Sequence, residues 1–187
     1  MIESSYVKNN YGEVLRSIID AFKPVNVVEL GVLNGYSTFH IASGLKRNGR
    51  GVVKAYDLFE QYPYKHSRYE DVVQFFKHCD NMEFFALDAF KVADLYQPGS
   101  VDFLHVDLSN TGETVNRIME QWDVKMVQGG VILFEGGTAE RDQEEWMIKY
   151  NKLPIKPEIE TNPIIQGKYI YGTYLKWPGL TMLLKKR

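Results

Sequence analysis

One cysteine, Cys79, stands in the 187 residues of this chain. A lone thiol excludes an internal disulfide and any Cys-rich zinc site. Its place on the apolar stripe of a predicted helix points to a buried structural thiol. No apolar run approaches the ~20 residues that a membrane-spanning helix needs. No strongly basic block is present and the formal net charge is −2, so charge-driven nucleic-acid binding is not expected. The opening MIESSYVKNN lacks the basic segment and apolar core of a signal peptide; a reducing, cytoplasmic setting is the expectation. Internal repeats and low-complexity tracts are also missing. What remains is ordinary for a folded protein, with 44% hydrophobic and 25% charged residues. The length suits one core, and hence one domain over 1–187 with residues 1–24 as an N-terminal helical extension.

The stretch Val25–Ser37, VNVVELGVLNGYS, organises the rest. Its β-branched run suits a strand buried on both faces, as in a parallel sheet. The run carries a carboxylate, Glu29, and is followed by a loop from Gly31 to Gly35 that leads into a helix. Glycines there let the backbone turn sharply and approach a ligand. Strand, glycine loop and helix form the entry to a nucleotide-type pocket in open α/β sheets. The dinucleotide fingerprint G-x-G-x-x-G is not met, because position 33 is Leu33.

Along the chain, Val14, Leu15, Ile18, Ile19 and Phe22 give helical spacing over Tyr11–Phe22, closed by Pro24. A helix is predicted from Ser37 to about Arg47, and His40 on it reads as a surface or packing residue. Val52–Asp57 reads as a second strand ending in an acid, placed to accept hydrogen bonds from ribose hydroxyls. Leu58–Lys65 is an aromatic loop falling where a pocket cover would lie. A helix is expected over His66–Cys79, a third strand over Met82–Leu87, and a fourth over Val101–Val106, followed by Asp107. Val115, Ile118, Met119, Trp122 and Met126 form a helical stripe that Gln128-Gly129-Gly130 breaks. Val131–Phe134 makes a fifth strand ending at Glu135. A charged helix over Glu140–Asn151, with Trp146, Met147 and Tyr150 inward, and an irregular connection over Lys152–Gln166 follow. Two last strands, Lys168–Leu175 and Leu180–Leu184, and a solvated basic tail complete the reading.

Alternating strand and helix periods imply a doubly wound, mostly parallel α/β sheet of Rossmann-like type with helices on both faces. Parallel strands place their C-terminal ends on one edge, so Glu29, Asp57, Asp107 and Glu135 are expected to crowd the edge where ligands bind.

The string VVELGVLNGYSTFHIA, with Glu29 two residues before Gly31 and Tyr36-Ser37 after Gly35, resembles the first motif of class I S-adenosylmethionine-dependent methyltransferases. It is most similar to the catechol O-methyltransferase-like and macrocin O-methyltransferase-like branches. The resemblance implies S-adenosylmethionine bound by Glu29, Gly31, Gly35, Tyr36, Ser37, Asp57, Leu58, Asp88, Ala89 and Asp107. The Asp88-Ala89 pair would lie against adenine, with a helix N-cap as the competing role for Asp88. It also implies a final antiparallel hairpin. In those relatives a divalent cation, held by acids after the fourth and fifth strands, lowers the pKa of the acceptor hydroxyl, and oxygen ligands suit magnesium.

Three positions depart from that pattern. His105 stands where the macrocin-type motif has its first Asp, Asn110 where the catechol-type motif has lysine, and Glu135-Gly136 where an Asp-Asp or Asp-Asn pair is expected. Asp107 and Glu135 are the residues left to hold a metal, if one is used. His105 or Asp107 is the candidate general base, the competing role for His105 being a satisfied residue buried in the sheet. The expected function is O-methylation of a small-molecule acceptor such as a sugar, a phenol or a natural-product intermediate. A nicotinamide-dependent oxidoreductase and a non-catalytic S-adenosylmethionine-binding protein are the alternatives. A homodimer is left open, and neither nucleic acid nor membrane is expected as a partner.

Overall fold

The computed structural model describes residues 4–64 and 66–187, which divide into two compact units, one up to Val92 and one from Ala93. Among the described residues no helix is long and apolar enough to cross a membrane.

In the first unit, α1 (Tyr11–Phe22) has the bounds the apolar spacing predicts. Its buried side includes Leu15 and Ile19, and it stops at Lys23 in a left-handed conformation ahead of Pro24. A residue before proline is pushed out of the helical region. The alternating elements follow as β1 (Asn26–Leu30), α2 (Tyr36–Arg47), β2 (Val52–Asp57), α3 (Tyr69–Phe75) and β3 (Met82–Ala86). β2 pairs in parallel with β1 on one side and β3 on the other, with Leu30 opposite Tyr56 and Asp57 opposite Ala86. Val32, Ala55, Phe59, Val72, Phe76 and Phe84 form one apolar cluster, with Cys79 packed at its margin and only half-buried.

The helix expected over His66–Cys79 is shorter at both ends. Arg68 is still extended, and a turn closed by Cys79 N–H on the Phe76 carbonyl (2.8 Å) ends the segment. Upstream, Ser67 donates to Asn34 and His66 lies 3.6 Å from Asp57, so these side chains are committed to the glycine loop and to β2.

In the second unit, β4 (Val101–Val106) pairs in parallel with β5 (Met126–Glu135), and α4 (Gly112–Trp122) connects them. The Gly129-Gly130 pair does not break a helix. It lies inside β5, where Val101 pairs with Met126 but Phe103 pairs with Val131, so the pair belongs to a bulge, with Gly129 at φ 77°. Met126 accordingly begins β5 and is no part of the α4 stripe.

The expected helix over Glu140–Asn151 is two short ones, α5 (Ala139–Asp142) and α6 (Glu145–Lys149). Met147 is buried, but Tyr150 is exposed. The stretch read as an irregular connection folds as α7 (Ile155–Thr161) and α8 (Pro163–Lys168). Its prolines occupy the N-cap of α7, the first turn of α7 and the first residue of α8, where no intrahelical N–H is required. Asp142 accepts the N–H groups of Ile155 (2.7 Å) and Lys156 (2.9 Å), and Asn162 accepts those of Ile164 and Ile165.

β6 (Tyr169–Tyr174) and β7 (Leu180–Lys185) form the antiparallel hairpin, and β7 pairs antiparallel with β5. The basic tail is not merely solvated. Lys185 Nζ donates to the Met126 carbonyl (3.2 Å) and pairs with Asp123 (3.2 Å), and Lys186 Nζ donates to the Gln166 carbonyl (3.0 Å). Parallel strands with intervening helices, closed by an antiparallel hairpin, make the mostly parallel Rossmann-like α/β fold.

Candidate functional site

The loop after β1 is built by its neighbours. Gly31 sits at φ 92° and its N–H continues the ladder to the Tyr56 carbonyl at 2.9 Å. Leu33 is left-handed at φ 50° without being glycine, and Gly35 (φ 77°) closes the turn onto the Val32 carbonyl and starts α2. Glu29 is 0% exposed and accepts the hydroxyl of Thr38. That bond ties β1 to the first turn of α2. Ser37 is buried beside it, while Tyr36 is half-buried with its ring 4.6 Å from that of His40. His40 also meets Arg16 at 2.9 Å, which makes it a packing residue, and burial followed by the Arg16 charge lowers its pKa.

Asp57 braces this loop. Its Oδ2 accepts the N–H groups of Val32 (2.6 Å) and Leu33 (3.1 Å), and its Oδ1 accepts that of Phe59 (2.9 Å). A carboxylate offers about four lone-pair directions, so among the described residues one remains on Oδ1. The Asp57 carbonyl takes Leu87 N–H at 2.9 Å, fixing the end of β3 beside it. There Asp88 caps a short turn by accepting Phe90 N–H (3.0 Å), the competing role considered for it, and Ala89 is buried. Leu58 is half-buried, Lys65 lies outside the described residues, and His66 and Ser67 then contact Asp57 and Asn34.

The loop geometry bears on ligand chemistry. A dinucleotide's pyrophosphate is cradled by free N–H groups of a glycine loop and helix N-terminus. Here the amides of Val32 and Leu33 are taken up by Asp57 and are not open to a phosphate. A nucleoside without phosphates, presenting hydroxyls, suits this donor and acceptor set.

In the second unit, His105 is 0% exposed in β4, opposite Leu133 of β5. Asp107, directly after β4, is half-buried. Asn110 is buried and its Nδ2 donates to the carbonyls of Val106 (3.1 Å) and Glu135 (3.0 Å), holding the ends of β4 and β5 together. Gly136 (φ 105°) and Gly137 (φ 99°) then reverse the chain into α5. That turn returns Arg141 to Glu135, with Nε 3.1 Å from Oε1 and Nη2 3.4 Å from Oε2. Both residues are buried, and the Arg141 guanidinium lies 5.0 Å from the centre of the Trp146 ring. Nothing in the sequence pattern singles out Arg141. Its role depends on the turn made by two glycines and on a partner six residues away.

These residues do not fit a divalent cation. Both oxygens of Glu135 already accept from a guanidinium, and among the described residues no three His, Cys, Asp or Glu side chains come together as a ligand set. Magnesium at Asp107 and Glu135 has no donor cage among the described residues.

Residues 28–135, more than half of the chain, match the family described as a methyltransferase domain. The chain belongs to that methyltransferase family. Among solved structures it is similar to the O-methyltransferase TomG from Streptomyces achromogenes, involved in tomaymycin synthesis and in complex with SAM, at TM-score 0.69 and 13% identity over 100% of this chain and 82% of that one. It is also similar to the SAH-bound Podospora anserina methyltransferase PaMTH1, at TM-score 0.68 and 15% identity over 99% and 80%. An O-methyltransferase from Bacillus cereus in complex with SAH gives TM-score 0.64 and 18% identity over 99% and 83%. At these identities the likeness is one of fold. No curated protein sequence matches the chain.

Proposed function

We propose that this methyltransferase uses S-adenosylmethionine to methylate an oxygen of a small-molecule acceptor. The observation that carries the reading is the glycine loop whose Val32 and Leu33 amides are taken up by Asp57, in a chain whose family is methyl transfer. The solved relatives of the same fold that hold SAM or SAH support it.

S-adenosylmethionine supplies a sulfonium methyl group that the acceptor oxygen displaces, forming the O–C bond, breaking C–S and releasing the neutral thioether S-adenosylhomocysteine. The chain's residues hold, orient and deprotonate. Gly31 and Gly35 let the backbone approach the nucleoside, and the remaining lone pair of Asp57 Oδ1 accepts one ribose hydroxyl. Asp88 and Ala89 border the adenine. Asp107 takes the acceptor's hydroxyl proton. Its partial exposure favours it over His105, whose full burial suits a packing role. Glu29 acts through Thr38 on the shape of the loop.

Calorimetric titration with S-adenosylhomocysteine tests the reading, with NAD as the comparison ligand. Micromolar binding of the thioether and none of the dinucleotide is expected. The reverse pattern would transfer the chain's pocket to nicotinamide chemistry.

A further inference from the structure

We infer that Arg141 is the resident cation at the end of β5 and orients the acceptor oxygen there, so that methyl transfer in this protein runs without a divalent metal. The inference rests on the O-methyltransferase reading above and deepens it at the acceptor side.

Four observations meet at Arg141. The guanidinium engages both oxygens of Glu135, the acid that closes β5. The pair is 7% and 8% exposed, and a buried ion pair is weak grounds for stability, because desolvation offsets much of the attraction. The guanidinium is held from two sides, by Glu135 and by the Trp146 ring, while the Thr138 hydroxyl accepts the Arg141 backbone N–H at 3.2 Å and sets the start of α5. Finally, Nη1 is buried with no hydrogen-bond partner among the described residues. An orphaned buried donor is destabilising, and a bound oxygen removes that penalty.

Arginine is always charged and carries five donors in a rigid fork. With Nε and Nη2 spent on Glu135, the Nη1 donors are left to meet a ligand. The acceptor's hydroxyl proton leaves to Asp107, and negative charge grows on the oxygen as it attacks the methyl carbon. A preorganised N–H aimed at that oxygen is most strongly bound in the transition state. A metal on Glu135 would do the same work by Lewis acidity, but it would have to evict the guanidinium. The acceptor class this selects is a phenol or other acidic hydroxyl, which becomes an oxyanion with modest help.

The test uses the full chain after EDTA treatment, titrated with manganese(II) and followed by the electron paramagnetic resonance signal of the free ion. No saturable site in the micromolar range is expected. A micromolar manganese site lost in Glu135→Gln would overturn the inference. The second arm titrates 4-nitrophenol, whose ionisation is read by absorbance. The wild-type protein should raise the phenolate fraction at fixed pH, and Arg141→Met should abolish that rise while circular dichroism stays native. No rise with the wild-type protein, or an equal rise with the variant, would equally overturn it. S-adenosylhomocysteine binding measured on the same samples separates the two levels. Its absence removes the methyltransferase reading itself, whereas its presence beside a manganese site removes only the role given to Arg141.

Discussion

Asp57 Oδ2 lies 2.6 Å from the backbone nitrogen of Val32, across the gap between the end of β2 and the loop after β1. The same carboxylate takes the amides of Leu33 and Phe59. Hydrogen bonds to a charged acceptor contribute about 1.5–3 kcal/mol each. Asp57→Asn replaces one oxygen with an NH2 that faces amide donors. The variant is expected to lose about 2–3 kcal/mol of unfolding free energy, and to weaken S-adenosylhomocysteine binding through a disordered loop. Urea unfolding followed by fluorescence measures the first and calorimetry the second. Wild-type stability would mean that the brace is a by-product of loop shape and not its cause.

Gly35 offers a cleaner probe of the loop. Its φ is 77°, and a Cβ built there would sit 2.5 Å from Phe76 Cε2, inside the apolar cluster. Gly35→Ala should lose about 3 kcal/mol, from a left-handed alanine at about 1–2 kcal/mol and from overpacking at about 1–3 kcal/mol. Gly49→Ala is the control. It has φ 71° but nothing within 4 Å, so only the backbone cost of about 1–2 kcal/mol remains. Thermal unfolding of the pair isolates the contribution of Phe76. Equal losses would show that the Phe76 ring moves aside freely.

Asp123 provides a pH-dependent contribution in the second unit. Burial opposes its ionisation, but hydrogen bonds from Lys168, Lys185 and Tyr169 outweigh that and hold its carboxyl below the ordinary value. Burial, then the Asp123 charge, pushes the Tyr169 hydroxyl far up, so it stays a donor throughout the neutral range. Because the folded pKa is the lower one, the unfolded chain binds the proton first on acidification. The stabilisation is complete above the ordinary carboxylate range, near about pH 4, and drains away as pH falls through the folded pKa. Asp123→Asn is therefore expected to be less stable than wild type at pH 7 and to show a shallower loss of stability below about pH 4. Melting temperatures between pH 7 and pH 2.5 check it. Parallel curves for the two proteins would remove Asp123 from the acid response.

Much of the fold was legible because its signal is local. The bounds of β2 and β4 follow from short apolar runs between turn residues, and α1 follows from one apolar face. Where the reading fails, the deciding partner is far away in sequence. Gly129-Gly130 looks like a helix break until Phe103 pairs with Val131 and the two glycines become a bulge. Residues 155–168 look irregular for their prolines, yet Asp142 and Asn162 supply the caps that let two short helices start. The site divides in the same way. An acid at the end of β2 can be read from the chain, but the letter is the same whether its oxygens face a ribose or the amides of Val32 and Leu33. Arg141 is the extreme case, an ordinary surface-type residue in the sequence that is buried against Glu135.

The hairpin has a consequence for how the protein is made. β7 pairs with β5, and Gly136 and Thr181 are hydrogen-bonded across 45 residues of chain. Translation therefore delivers β5 well before the strand that covers it. In that interval the edge from Val131 to Phe134 is an apolar template open to any passing strand. Closing so distant a pair is slow relative to local helix formation. The chain's most vulnerable moment thus falls during synthesis, when β5 is complete but lacks the strand that keeps it from pairing with another molecule.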